Sequence, residues 1–114
     1  LTFKVDAYNP SSWENIFNFA KNMITEFEKW DKTMRIFSAK ELTDLANEWL
    51  EEDTENSIPI TEEIFAERIF LSMIYFSFDN SFTVYYEDDD MFSGHSIEVF
   101  GSLEQGIEFV SIVG

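Results

Sequence analysis

The stretch IFLSMIYFSFDNSFTVYYE, residues Ile69 to Glu87, decides the fold, because the spacing of apolar residues changes here from helical to extended. It is rich in Ile, Phe, Tyr and Val, which favour strands. Asp79-Asn80 lies between two such runs, and an Asn or Asp pair in that position is a hairpin signal. We therefore predict paired strands at residues 69–78 and 81–87.

Two more strands are predicted after this hairpin. HSIEVFG alternates, with Ile97 and Val99 on one side and polar residues on the other, and SLEQG is a turn that contains Gly106. The segment IEFVSIV is the last apolar run. These patterns predict strands at 95–100 and 107–113, and short turns between sequential strands indicate an antiparallel meander.

Helical periodicity precedes the hairpin. Apolar residues recur at steps of three and four after a capping-box spacing of Ser11 and Glu14, and a second such box lies at Ser38 and Glu41. Thr61 resembles an N-cap, because acidic residues follow it in the first turn. We predict helices at about 12–29, 39–51 and 62–67, with the basic turn DKTMR between the first two.

Helices followed by consecutive strands predict an α+β domain with the helices packed on one face of the sheet. LTFKV alternates weakly, so an extra strand at 2–6 is also predicted. The 114 residues suit a single domain, 1–114. The chain begins at Leu1 rather than at a methionine, so we expect a piece of a somewhat longer chain.

The amino-acid composition limits which classes of molecule the protein is expected to bind. The formal net charge is −16, from 23 acidic and 7 basic residues, which disfavours binding to nucleic acids and to anionic membranes. A basic protein partner would be attracted. The 13 Phe, 3 Trp and 4 Tyr indicate an aromatic core, because an acidic disordered chain would lack them. The simplest interpretation of the acidic residues is that they only keep such a domain soluble.

The sequence lacks the residues that several kinds of functional site require. The chain has no Cys, which excludes disulfides, thiolate zinc sites and thiol catalysis. No glycine-rich phosphate loop occurs, and no cofactor is predicted. No apolar run approaches a membrane span, so we expect a cytoplasmic protein. The sequence does not indicate an oligomeric state.

The run EDDD, Glu87 to Asp90, is the first candidate site. A calcium loop places oxygen ligands at alternate positions around a central Gly, whereas these acids are contiguous and Gly94 comes too late. Asp is also frequent in turns because its side chain accepts hydrogen bonds from its own backbone. The run therefore indicates a hairpin turn rather than a metal site.

His95 is the only histidine, so any catalytic triad or histidine-containing metal site would need it. No nucleophile-elbow pattern surrounds a serine. We expect the imidazole to hydrogen-bond a strand backbone or a carboxylate and to pin the hairpin. The predicted partner-binding surface combines the hairpin with the acidic loop after the second helix: Glu87, Asp88, Asp89, Asp90, Phe92, His95, Glu51, Glu52 and Asp53.

The segment from Phe37 to Gly114 resembles a bacterial family of domains of unknown function. The similarity lies in a Phe-x-Gly-His-x-Ile-x-Val hairpin and in the stretches ANEWLEEDTE and ITEEIFAERI. The family often has Trp before the Gly-His pair, where this chain has Ser93. The matching positions are Phe92, Gly94, His95, Ile97, Val99, Gly106 and Gly114. The resemblance carries no catalytic residues, and by analogy it suggests a small cytoplasmic immunity or accessory protein.

Three hypotheses for the function follow. The first is a non-enzymatic interaction domain, which could be of the immunity type, docking a basic protein. The alternative is a metal-dependent or acid–base hydrolase that uses His95 with Asp88, Asp89 or Asp90, which predicts that these side chains converge in one pocket. The third is a purely structural domain of a larger protein.

Overall fold

The computed structural model describes residues 2–6, 13–51, 58–77 and 80–114, and these form an α+β fold, as predicted. Each strand begins and ends within two residues of its predicted bounds, and the extra N-terminal strand is present. In chain order the elements are β1 Thr2–Asp6, α1 Trp13–Thr25, α2 Phe27–Glu51, α3 Glu62–Arg68, β2 Phe70–Ser77, β3 Ser81–Glu87, β4 Ser96–Ser102 and β5 Gly106–Val113.

The five strands form one sheet in the order β1-β2-β3-β4-β5. Strands β2 to β5 are an antiparallel meander, which confirms the predicted pairing of sequential strands. Strand β1 pairs in parallel with β2, from Thr2 beside Met73 to Asp6 beside Ser77. Parallel neighbours need a long crossover, and the segment that contains the three helices supplies it.

The predicted break between the first two helices is wrong. Asp31 to Arg35 lie within α2, and Ser38, the predicted capping residue, is buried in the middle of that helix. The helix continues because this segment has no Gly or Pro and because Asp31 and Arg35, four residues apart, form an ion pair of 2.9 Å. The interruption falls at Glu26 instead, directly after Thr25, whose hydroxyl donates to the carbonyl of Lys21, a bond that often bends helices.

The third helix begins as predicted. Thr61 is extended, and its hydroxyl accepts a hydrogen bond of 3.1 Å from the backbone N–H of Ile64. The segment before it is fixed by Asn47 of α2, whose side-chain amide donates to the carbonyl of Ile60 and accepts from its N–H. The predicted cap at Ser11 lies outside the described residues.

The helices pack on one face of the sheet, which we call the inner face. The contacts are aromatic: Phe19 of α1 meets Phe76 edge-on at 5.5 Å, and Trp30 of α2 meets Phe82 at 5.2 Å. The largest fully buried side chains are Tyr86, Phe65, Phe76, Phe82, Phe92, Met23, Met34, Ile69, Ile74, Ile97 and Val84. Among the described residues, no helix is both long enough and apolar enough to cross a membrane.

A polar network joins α2, α3 and β3 beneath this core. The hydroxyl of buried Tyr86 donates to Asp31 over 2.6 Å, and Asp31 pairs with Arg35. Arg35 also donates to the carbonyls of Ala66 and Ile69, both over 2.7 Å, and so satisfies the C-terminal end of α3. Burial, together with the hydrogen bond and the charge of Asp31, raises the pKa of Tyr86 well above its ordinary 10.0.

Tyr86→Phe should lower the free energy of unfolding at pH 7 by about 1–3 kcal/mol, because Asp31 loses a buried donor. The raised pKa of Tyr86 also keeps its phenol protonated in the folded chain, while the unfolded chain ionises near pH 10. This stabilisation is therefore fully present below pH 10 and is lost as the pH rises above that value. Urea titrations of both proteins between pH 7 and pH 11 should show a shallower decline for Tyr86→Phe above about pH 10.

Tyr85→Phe is the matched control, because Tyr85 is only partly buried on the opposite face of the same strand. Its loss at pH 7 should be smaller than that of Tyr86→Phe. Equal losses for the two variants at pH 7, or curves of Tyr86→Phe and the unmodified protein that run parallel above pH 10, would contradict the network.

Candidate functional site

The hairpin between β3 and β4 is built around the carboxylate of Asp88, which is only 3% exposed. One oxygen accepts from the backbone N–H of Asp90 at 3.1 Å. The other accepts from three N–H groups, those of Phe92 at 2.9 Å and of Gly94 and His95 at 3.0 Å. Both oxygens are therefore used inside the loop, and Asp88 organises the turn, as expected for Asp in such a segment.

Backbone conformation explains why acidic residues follow Asp88. Asp89 and Asp90 have φ of 48° and 60°, a left-handed region that Asp tolerates better than most residues. Ser93 and Gly94 have positive φ as well, at 60° and 88°. The contiguous acids therefore form a tight turn, as their spacing predicted.

Asp89 attaches the hairpin to the end of α3. Its carboxylate accepts from Arg68 Nε over 2.8 Å, and its backbone carbonyl accepts from the same guanidinium over 2.8 Å. Both side chains are exposed to solvent, so the ion pair contributes little stability by itself. The pair does neutralise one hairpin charge, which leaves Glu87 and Asp90 as its exposed carboxylates without an ion pair among the described residues.

His95 docks the hairpin onto the end of α2. Its Nδ1 hydrogen-bonds the backbone carbonyl of Phe92, which lies in the hairpin loop, whereas the predicted partner was a strand backbone or a carboxylate. The ring meets Trp49 edge-on at 5.5 Å, and Trp49 meets Phe92 at 5.4 Å. Phe92 is fully buried, so it anchors the hairpin and offers no surface to a partner.

The acids and His95 do line one shallow cleft of about 340 Å³, together with Phe70 and Gly94. Three of the side chains in it already have partners: Asp88 binds the backbone, Asp89 pairs with Arg68, and His95 Nδ1 bonds Phe92. Glu87 and Asp90 also line the cleft, without an ion pair among the described residues. Within the described ranges, no group of three or more His, Cys, Asp or Glu could hold a metal ion. Hydrolase chemistry at this cleft stays a prediction.

The second half of the predicted surface falls at the end of α2. Glu51 is the last residue of that helix, whereas Glu52 and Asp53 lie outside the described residues. A joint surface of this loop and the hairpin therefore stays a prediction.

The structure adds a surface that sequence reasoning missed, the outer face of the sheet, opposite the helices. Its side chains lie in rows across β2, β3, β4 and β5, as the strand register shows. Phe109, 52% exposed, stacks on Phe100 with ring centroids 5.0 Å apart, and Phe70 is 54% exposed. The rows read Phe70-Glu87-Ser96-Val113, then Met73-Tyr85-Glu98-Ser111, then Tyr75-Thr83-Phe100-Phe109.

Across β2 to β5, the charge on this outer face is negative. Glu87 is exposed at the hairpin end, and Glu98 lies in the next row, where it hydrogen-bonds Tyr85. Burial, the hydrogen bond to Glu98 and its charge raise the pKa of Tyr85. Strands β2 to β5 contain no Lys or Arg. One signal in the sequence indicated this surface. Aromatic residues occupy both alternating sets of positions in β2 and β3, whereas a strand with one face in solvent usually has polar residues on that face.

A groove of about 600 Å³ lies between α2 and α3. Its lining includes apolar Ile36, Ala39 and Ala66, with Lys32 on the α2 side and Glu62, Glu63 and Glu67 on the α3 side. Arg35 also lines it but is engaged with Asp31 and two carbonyls. This groove adds acidic side chains on the helical side of the domain.

Similarity to known proteins assigns the chain to a family. The family model described as an uncharacterized protein conserved in bacteria (DUF2262) matches residues 1–112, and the chain belongs to that family. This confirms the expected membership in a bacterial family of unknown function, while the specific Gly-His motif stays a prediction. No curated protein and no solved structure matches the chain.

Asp88→Asn should lower the free energy of unfolding by about 2–4 kcal/mol, because an NH2 group would face backbone N–H donors in place of a carboxylate oxygen. Asp90→Asn is the matched control, since Asp90 is exposed and Asn tolerates its φ of 60° equally well. The control should change stability by less than about 0.5 kcal/mol. Urea denaturation measures both, and equal effects would show that the Asp88 bonds do not hold the turn.

Proposed function

We propose that this chain is a non-enzymatic interaction domain that binds a basic protein through the outer face of its sheet. The observation that carries the proposal is the outer face itself, where exposed aromatic side chains lie beside Glu87 and Glu98. Surfaces of this kind, apolar and contiguous with a charged rim, are typical of protein-binding sites.

The chemistry of the face suits arginine and lysine side chains. Their cationic groups pack over aromatic rings such as those of Phe109 and Tyr85, and their charges pair with Glu87 and Glu98. Aromatic anchors at the centre of a surface supply most of the binding energy, whereas charges at the rim supply specificity. The exposed hairpin acids Glu87 and Asp90 extend the negative rim from the sheet to the turn.

The net charge of −16 supports the same proposal at longer range. A strongly acidic surface steers a basic partner and raises its rate of association, an effect that salt weakens. In its most specific form, the proposal is a cytoplasmic immunity-type protein that neutralises a basic toxin.

The double variant Glu87→Gln/Glu98→Gln should weaken binding of a basic partner at least about tenfold at low salt, because two charges leave the contact surface. Gln retains a carbonyl that accepts from Tyr85, so folding should be preserved. The partner is captured from a bacterial lysate with the immobilised domain and purified, and its affinity is measured by calorimetry across a range of NaCl concentrations.

Glu41→Gln/Glu48→Gln removes the same charge from exposed positions on α2, away from the outer face, and should leave the affinity within about twofold. An equal loss of affinity in both double variants would show that only the net charge matters, and not its position on the outer face. Failure to find any partner whose affinity falls with ionic strength would overturn the proposal.

The immunity-type form makes a separate prediction. A gene next to the one for this chain should encode a basic toxin, and co-expression of the domain should restore growth of cells that make the toxin. Growth should be restored less by Glu87→Gln/Glu98→Gln than by the α2 control. A neighbouring toxin whose killing is unchanged by co-expression would contradict this form, while leaving binding of another basic protein intact.

A further inference from the structure

Strand β5 is an edge of the sheet. In the described structure its only neighbouring strand is β4, so backbone N–H and C=O groups along its other side have no strand to pair with. Natural proteins usually protect such edges with lysine, proline or very short strands. This strand has eight residues, one charged residue, Glu108, and no Lys, Arg or Pro. A bulge at Glu108, where the register shifts, is one of the devices that protect edges, but the strand beyond it pairs regularly from Phe109 to Val113.

Aromatic side chains flank this edge on both sides. On the outer face Phe109 is half exposed and stacks on Phe100. On the inner side a groove of about 430 Å³ lies between α2 and the start of β5, lined in part by Trp30, Phe37 and Ile107. A strand added beside β5 would therefore meet apolar surface with both of its alternating sets of side chains.

We infer that the β5 edge accepts an extended, basic segment of the partner protein as a sixth strand. This inference rests on the proposed function and names its mode of recognition, in which backbone hydrogen bonds give affinity and alternate side chains give specificity. Charge decides between a basic segment and a second copy of this chain. Two copies would each bring a net charge of −16 to the contact, whereas a basic strand would be attracted by that charge and by Glu108 on β5 itself. At the groove, Glu26 and Lys29 offset each other.

The alternation of a strand sets the pattern of the bound segment. Residues that point to the inner side would place apolar side chains in the groove beside Trp30 and Phe37. Residues that point to the outer side would place arginine or lysine over Phe109 and toward the acids of the outer face. The segment is therefore expected to alternate apolar and basic residues.

The probe is an eight-residue peptide of alternating valine and arginine with blocked ends. It should bind the domain and slow amide hydrogen exchange along β5 but not along β2 or β3. The same peptide with every backbone nitrogen methylated keeps its charge and side chains but loses its donors, and it should bind at least about tenfold more weakly.

Two variants locate the contact. Phe109→Ala should weaken the alternating peptide several-fold, whereas Phe70→Ala, equally exposed but three strands away, should leave its affinity unchanged. Salt-dependent binding that is insensitive to N-methylation and equally sensitive to both variants would overturn strand addition while supporting recognition by the outer face. Absence of any binding by the peptide would overturn strand addition, and the captured partner would still test the proposed function.

The experiments also distinguish a second copy of this chain as the occupant of the β5 edge. Sedimentation of the domain alone should show a monomer at concentrations where the peptide binds. A concentration-dependent dimer with β5 amides already protected would overturn the inference, because the edge would then be occupied by the chain itself.

Discussion

The helices of this domain cover one face of the sheet, and the rest of the molecule depends on that one-sided packing. Aromatic contacts from α1 and α2 reach the sheet through Phe19 and Trp30, and Arg35 joins the end of α3 to the same layer. With both long helices on the inner face, the described structure leaves the outer aromatic rows without a covering layer. The candidate surface is thus a consequence of how the core is built.

The acidic hairpin shows how one sequence feature serves structure and surface at once. Both carboxylate oxygens of Asp88 accept hydrogen bonds from backbone N–H groups, and Asp89 pairs with Arg68 and so attaches the hairpin to α3. Their neighbours Glu87 and Asp90 stay in solvent. A run of four acids therefore divides into residues that make the turn and residues that give the surface its charge, and only the hydrogen bonds tell them apart.

The sequence predicted the strands well because strand formation here follows local signals. Alternation around Ile97 and Val99 and the turn residues near Asn80 act over short distances. The first helix boundary was wrong because DKTMR looks like a polar turn, whereas Asp31 and Arg35 are partly buried and bonded to Tyr86 and to the end of α3. Those partners are distant in the chain, so periodicity carries no trace of them.

By itself the sequence determined the α+β class, the antiparallel meander, the acidic turn and the negative charge, since each depends on composition or on neighbouring residues. Only the tertiary structure decided that β1 joins in parallel, that β5 is an edge, and that Tyr85, Phe100 and Phe109 share a face away from the helices. Alternation shows that a strand has two sides, but which side is buried is set by where the helices pack.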